Sequence, residues 1–272
     1  MTAVAELAQS RELITNLTLR EVRGKYKRTL LGQGWSLVNP LATMATYTLV
    51  FGVLLKTTPP KGNGGLQIFA LWLLGGLLPW TFFSSAVTTG MSSLIGNSNL
   101  IKKVYFPREV LVASSVLAFN VTFATELLVY AVALLIFNSF IFQWLPMVLV
   151  LIVLLTLFAM GLALALSVAN VYFRDTSHFV AIFMQLWFYA TPIVYPVKLV
   201  ADLDKTFAGI DLLTLYRLNP MTRFVEAFRN VFYDSRWPAA DTLVFCTVSA
   251  VVSIVCGYWL FSRFEGRLAE EL

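Results

Sequence analysis

The chain has 272 residues, 58% of them hydrophobic and 13% charged, with a net charge of +5 and a mean hydropathy of +0.75. A water-soluble globule carries roughly a quarter of its residues charged, so part of the solvent here is lipid; a soluble enzyme, a secreted disulfide scaffold and a disordered tail are excluded. The basic residues sit beside long apolar runs, which makes anionic headgroups their nearer partner and argues against nucleic acid.

Residues 1–34 pass through Glu6, Arg11, Glu12, Arg20 and Arg23 before any long apolar stretch, unlike a cleavable signal. On a helical wheel Leu7, Ile14 and Leu17 fall on one side while Arg20, Arg23 and Lys27 fall nearly opposite. This pattern predicts an amphipathic interfacial helix ending in the basic run Arg23, Gly24, Lys25, Tyr26, Lys27, Arg28. The run is either a topogenic anchor or a surface for an anionic lipid headgroup.

A spanning helix needs about 20 mostly apolar residues. Six runs qualify, at about 35–55, 68–88, 110–137, 145–171, 179–197 and 243–261, so residues 35–272 predict an all-α membrane domain of six spans. Twelve lysines and arginines flank the spans on one side, against two in the first two loops of the other, which puts both termini in the cytoplasm. Cys246 and Cys256 lie ten residues apart in one apolar run, about 15 Å along a helix, beyond disulfide reach.

Four places depart from plain lipid-facing sequence. The first is the basic N-terminal segment. The second is residues 97–108, where Leu100, Ile101, Val104, Tyr105 and Phe106 are too apolar for an exposed loop and suit a protein partner. The third is residues 202–234, in which Asn219-Pro220 starts a helix. Met221, Phe224, Val225, Phe228 and Phe232 follow on one face, with Arg223, Glu226 and Arg229 on the other, Glu226 pairing with either arginine. At about fourteen residues this helix is too short to cross and lies at the outer interface or dips in and returns. The fourth is Glu126, the only ionisable residue deep inside a span, with Asn120, Thr122 and Thr125 within about two turns. It either bonds between spans, lines a path or couples protons. Among the abundant aromatics Trp72, Trp80 and Phe83 are candidates to line a conduit, although packing explains most such rings.

No phosphate-loop pattern, Cys/His cluster or Ser-His-Asp set is present. The chain therefore reads as non-catalytic, without cofactor or metal of its own.

The run from Arg20 to Leu41 resembles the opening motif of ABC-2 type permeases that export polysaccharide, O-antigen or teichoic acid, through Tyr26, Lys27, Arg28, Leu31, Gly32, Trp35, Asn39 and Pro40. The order of spans and the two short segments match as well. The resemblance implies a homodimer in the bacterial cytoplasmic membrane, working with two copies of a separate ATP-binding subunit that holds ATP and magnesium. It implies that Asn99, Leu100, Ile101, Lys102, Lys103, Val104, Tyr105 and Phe106 couple to that subunit, with Arg174 and Asp175 as a second contact. It further implies that Arg23, Lys25, Tyr26, Lys27 and Arg28 meet the headgroup of a lipid-linked glycan, and that the Asn219 to Arg229 segment shapes the exit. Two alternatives stand beside it: an ABC-2 exporter of a drug or small lipid, and a proton-coupled transporter using Glu126. The absence of a visible internal repeat weighs against the second.

Overall fold

The computed structural model describes residues 11–25, 30, 32–54, 56–62, 65–104, 106–137, 142–202, 206–207 and 210–271. Leu7, Tyr26, Lys27, Arg28, Leu31 and Tyr105 lie outside the described residues. Helix α1 (Arg11–Lys25) precedes α2 (Trp35–Tyr47), which continues through a π-helical turn at Thr48–Leu54. Then follow α3 (Phe69–Gly96), the short α4 (Ser98–Ile101), α5 (Glu109–Ile136) and α6 (Leu145–Tyr172). After α7 (Thr176–Tyr189) and α8 (Val197–Ala201) comes a two-stranded hairpin, β1 (Thr206–Phe207) antiparallel to β2 (Ile210–Asp211), that hydropathy gave no sign of. The chain closes with α9 (Leu212–Leu218), α10 (Pro220–Phe232), α11 (Ala240–Phe264) and α12 (Leu268–Glu271).

Among the described residues five helices are long and apolar enough to cross a membrane: Leu37–Leu54, Phe69–Gly96, Glu109–Ile136, Phe142–Tyr172 and Ala240–Arg267. The predicted run 179–197 is not one uninterrupted helix. Its place is taken by α7, whose 14 residues rise about 21 Å against a hydrocarbon core of about 30 Å. The chain turns there because Pro192 and Pro196 have no N–H to continue the ladder. Among the described residues the bundle thus shows five long helices, and the short α7 where a sixth full span is expected. Pro146 sits in the first turn of α6, where a missing N–H costs nothing, as its position suggests.

Helix α3 is the hub, packed by α5 on one side, α6 on another and α10 at its beginning. Without a hydrophobic force between helices in lipid, close approach of backbones decides which pairs hold. The α6–α11 pair is of this kind: a Cβ on Gly257 would overlap the Gly161 carbonyl oxygen, and one on Gly161 would overlap the backbone of Ser253. Ser253 Oγ also donates to the Phe158 carbonyl at 2.8 Å across the crossing. Cys246 and Cys256 are both free, as their spacing requires.

Helix α1 runs along α5, burying Leu17 and packing Leu13 and Ile14 while Arg20 and Arg23 stay exposed. The apolar face read from the wheel is therefore covered by protein as well as being available to lipid.

Candidate functional site

Two ends of the bundle carry polar structure, and a few polar residues sit between them. At the first end, residues 97–108 join α3 to α5. Ile101 turns inward and is buried, and Leu100 and Phe106 pack partly against the core, while Lys102, Lys103 and Val104 are exposed. The loop is held on both sides: Arg20 Nη2 donates to Asn97 Oδ1 at 2.7 Å, and Arg108 donates to the carbonyl of Glu265 beyond α11. Phe173, Arg174 and Asp175 are exposed at the turn between α6 and α7. The apolar residues of the loop thus divide between anchoring it and facing out, where the sequence suggested one outward patch.

At the opposite end α10 starts as predicted. Asn219 caps it by accepting from Met221 N at 3.0 Å, and Pro220 supplies the first turn. The same Asn219 Oδ1 accepts from the Trp187 indole at 2.8 Å, while its Nδ2 donates to Thr191 Oγ1 and the Ala190 carbonyl. One amide therefore fastens the beginning of α10 to the end of α7.

The other face of α10 corrects the sequence reading. Met221, Phe224, Val225, Phe228 and Phe232 are buried as expected, but Arg229 is buried too, only 7% exposed. Its guanidinium donates to the carbonyls of Pro192 and Ile193, each at 2.6 Å, and of Trp72 at 3.3 Å, and it lies 3.7 Å above the Trp72 ring. Glycine makes room: a Cβ on Gly76 would stand 2.6 Å from Arg229 Nη2. Arg223 ion-pairs with Asp241 of α11 at 3.1 Å, and no ion pair of Glu226 occurs among the described residues. Beyond α10, Tyr233 donates towards the carbonyls of Leu66 and Pro60, and burial pushes its hydroxyl up to about 12, keeping it a donor. Burial likewise raises Asp234, against the opposing pull of Arg236 and Arg229.

Between the ends, Asn120 Oδ1 accepts from Thr156 Oγ1 at 2.9 Å and ties α5 to α6. Glu126 is 8% exposed. It lines a cavity of about 220 Å³ with Lys25, Trp35, Asn39, Thr43, Thr81 and Ser85, and also an apolar groove of about 280 Å³ under α2. The candidate conduit rings are core residues of this chain. Phe83 stacks on Phe158 at 5.3 Å, Trp80 meets Phe188 at 5.8 Å, and Trp72 carries Arg229. Rings left uncovered include those of Phe179, Phe183 and Tyr189 on α7, beside Ile182 and Leu186. Among the described residues no three His, Cys, Asp or Glu side chains gather as a metal site.

Residues 12–233 match the family described as ABC-2 type transporter. Along 98% of its length the chain is 32% identical to an O-antigen export system permease protein RfbA of Myxococcus xanthus, of which 96% is covered. A protein of the same name from Klebsiella pneumoniae is 27% identical over 96% of this chain and 95% of that one. The polysialic acid transport protein KpsM of Escherichia coli is 22% identical, over 92% of each. A bundle of long apolar helices with a buried, capped short helix at one end and a clamped loop at the other, matched across most of its length, belongs to the ABC-2 type transporter membrane-domain family.

Proposed function

We propose that this chain is the path-forming subunit of an ATP-driven exporter of a lipid-linked glycopolymer, acting as two copies with two copies of a separate ATP-binding subunit. The observation that carries the reading is full-length similarity to O-antigen and polysialic acid export permeases, together with a loop end suited to receiving force. Lys102, Lys103 and Val104 face outward there and form the contact with the nucleotide subunit. The clamps from Arg20 and from Arg108 to Glu265 pass displacement of the loop to α1 and to the end of α11. In this reading the loop end is cytoplasmic, both termini lie on that side, and α10 faces outward.

Because Trp72, Trp80 and Phe83 are packed inside one protomer, the polymer moves between the two copies. The exposed apolar and aromatic faces of α2 and α7 supply its walls, with Tyr47 and Phe188 in ring contact at 6.2 Å where the two helices meet. Aromatic faces stack on the apolar faces of sugar rings without demanding one sugar sequence. Arg23 and Lys25 stand at the cytoplasmic side, where they meet an anionic headgroup.

The test is charge reversal at Lys102 and Lys103 in the chain co-expressed with its ATPase. Loss of co-purification and of stimulated ATPase activity is expected. Unchanged co-purification and unchanged stimulation would remove the loop from the coupling surface.

A further inference from the structure

The polar cavity beside Glu126 is made by three rows of side chains, one from each of α2, α3 and α5. On α2, Trp35, Asn39 and Thr43 stand at successive four-residue intervals, one stripe along the helix. On α3 the row is Thr81, Phe82 and Ser85, and on α5 it is Phe119, Phe123 and Glu126. Each row mixes aromatic rings with hydrogen-bonding groups. Lipid rewards neither an amide nor a carboxylate, so such rows are costly unless they serve one another or a polar guest. Helix α1 adds Lys25, whose ammonium lies 4.0 Å above the Phe119 ring.

The lining is neutral as a whole and offers both sides of a hydrogen bond. Its two charged residues, Lys25 and Glu126, are of opposite sign. Thr43 and Thr81 give their hydroxyl hydrogens to the carbonyls of Asn39 at 3.0 Å and Leu78 at 2.9 Å, so they offer lone pairs beside the Glu126 carboxylate. The Trp35 indole, the Asn39 amide and the Ser85 hydroxyl bring donors, and none of these three side chains makes a hydrogen bond among the described residues. Trp35 is 43% exposed, while Phe82 and Phe123 are buried and stacked on each other at 4.6 Å. A hydrocarbon chain would leave the donors and acceptors unmet, a lone anion would face Glu126, and a lone cation would face Lys25. Water would satisfy the polar groups and leave the rings bare. A guest that answers both is neutral, carries hydroxyls that each donate and accept, and has C–H faces to lay on a ring, which describes a pyranose. At about 220 Å³ the cavity is below the ~300 Å³ at which sites for drug-sized molecules begin, so it takes one sugar ring and not an oligomer.

We infer that this cavity binds one pyranose ring of the lipid-linked substrate in each copy of the chain, the hydroxyls on Glu126, Asn39 and Ser85 and one C–H face on Trp35. The inference rests on the glycopolymer reading above and goes further. It puts sugar recognition between α2, α3 and α5 of a single copy, apart from the exposed walls of α2 and α7. Stacking along those walls accepts many sugars, whereas a closed set of donors and acceptors around one ring discriminates among them by the placement of their hydroxyls.

The test uses the purified full-length chain in nanodiscs of phosphatidylcholine and phosphatidylglycerol, which carry no sugar ring. Methyl glucoside, methyl galactoside, methyl mannoside, glycerol, methylammonium and methyl phosphate are titrated in turn, and NMR follows saturation passed from protein to ligand protons. The expected result is transfer to the ring protons of at least one glycoside that levels off with concentration, and no such transfer to glycerol or to either ion. E126Q exchanges a charged acceptor for a neutral one and should weaken glycoside binding about ten-fold. T43F fills the cavity, leaves the carboxylate in place and should abolish the transfer, and it serves as the test if E126Q does not fold. No transfer to any glycoside, equal transfer to glycerol or an ion, or unchanged binding in E126Q and T43F would overturn the assignment. A polyprenyl phosphate bearing the bound sugar, placed in the disc, should displace the glycoside better than a diacylglycerol bearing it. Equal or reversed displacement would give the site to a bilayer glycolipid and overturn the assignment as well. No ATPase is needed: a silent cavity in a chain that still exports glycan with its ATPase sinks this inference alone, whereas glycoside binding by a chain that exports none counts against the export reading instead.

Discussion

Replacing Arg229 with methionine keeps much of the side chain's length while removing its charge and all five N–H donors. Three carbonyl oxygens, of Trp72, Pro192 and Ile193, then lose their guanidinium partner in a place without water. Each abandoned buried acceptor costs ~1–3 kcal/mol, and the contact above the Trp72 ring is lost as well. Against this, the burial of the cation itself, a penalty of several kcal/mol, disappears. The net expectation is a loss of about 2–4 kcal/mol, well above the ~0.5 kcal/mol typical of a surface change. Gly76 sharpens the test. G76A places a Cβ where Nη2 now lies, so alone it expels the guanidinium, yet it adds little once Arg229 is already methionine. The double-mutant cycle should therefore show coupling of about 1 kcal/mol or more. Denaturant unfolding in detergent micelles measures all three variants. R229M within ~0.5 kcal/mol of the parent, or strict additivity with G76A, would refute the view that this cation holds three elements together.

N219A removes the cap of α10 and the acceptor of the Trp187 indole together; a loss of ~1–2 kcal/mol is expected, with faster amide exchange at the starts of α10 and at the end of α7, and unchanged exchange there would count against the fastening role. G257A should separate α6 from α11 and sharply lower the yield of folded protein, because backbone and not a flexible side chain occupies the space; near-normal yield would mean the crossing is looser than described. Cysteine at Lys61 should react with an impermeant maleimide from outside intact cells and cysteine at Lys103 only after permeabilisation, and the reverse pattern would invert the proposed orientation.

The sequence made the long helices visible because each is an apolar run of spanning length ended by Pro, Gly, Asn or charge. It made the start of α10 visible because a cap followed by proline is a local device, and Asn219 and Pro220 act as that pattern implies. It misjudged the 179–197 run because hydropathy sums composition, and Pro192 breaks a helix without making the stretch less apolar. Arg229 was invisible for a different reason. Its spacing from Arg223 and Glu226 puts it on a polar stripe, while the groups that bury it come from residues 72 and 192–193, far along the chain. Trp72, Trp80 and Phe83 illustrate the same limit: ring content is legible in a sequence, but whether a ring faces a path or a neighbour is decided by packing. Glu126 stands out from sequence as an isolated carboxyl in a span; the two cavities it joins do not.

The central claim is that this chain supplies a path and a neighbouring ATPase supplies the force. Proteoliposomes holding the chain alone, the chain with its ATPase, and the complex with an ATPase unable to hydrolyse ATP should be compared for movement of a lipid-linked glycan across the bilayer against its gradient. The account predicts ATP-dependent movement only in the second preparation. Uphill movement by the chain alone, driven by a pH gradient and lost in E126Q, would contradict it.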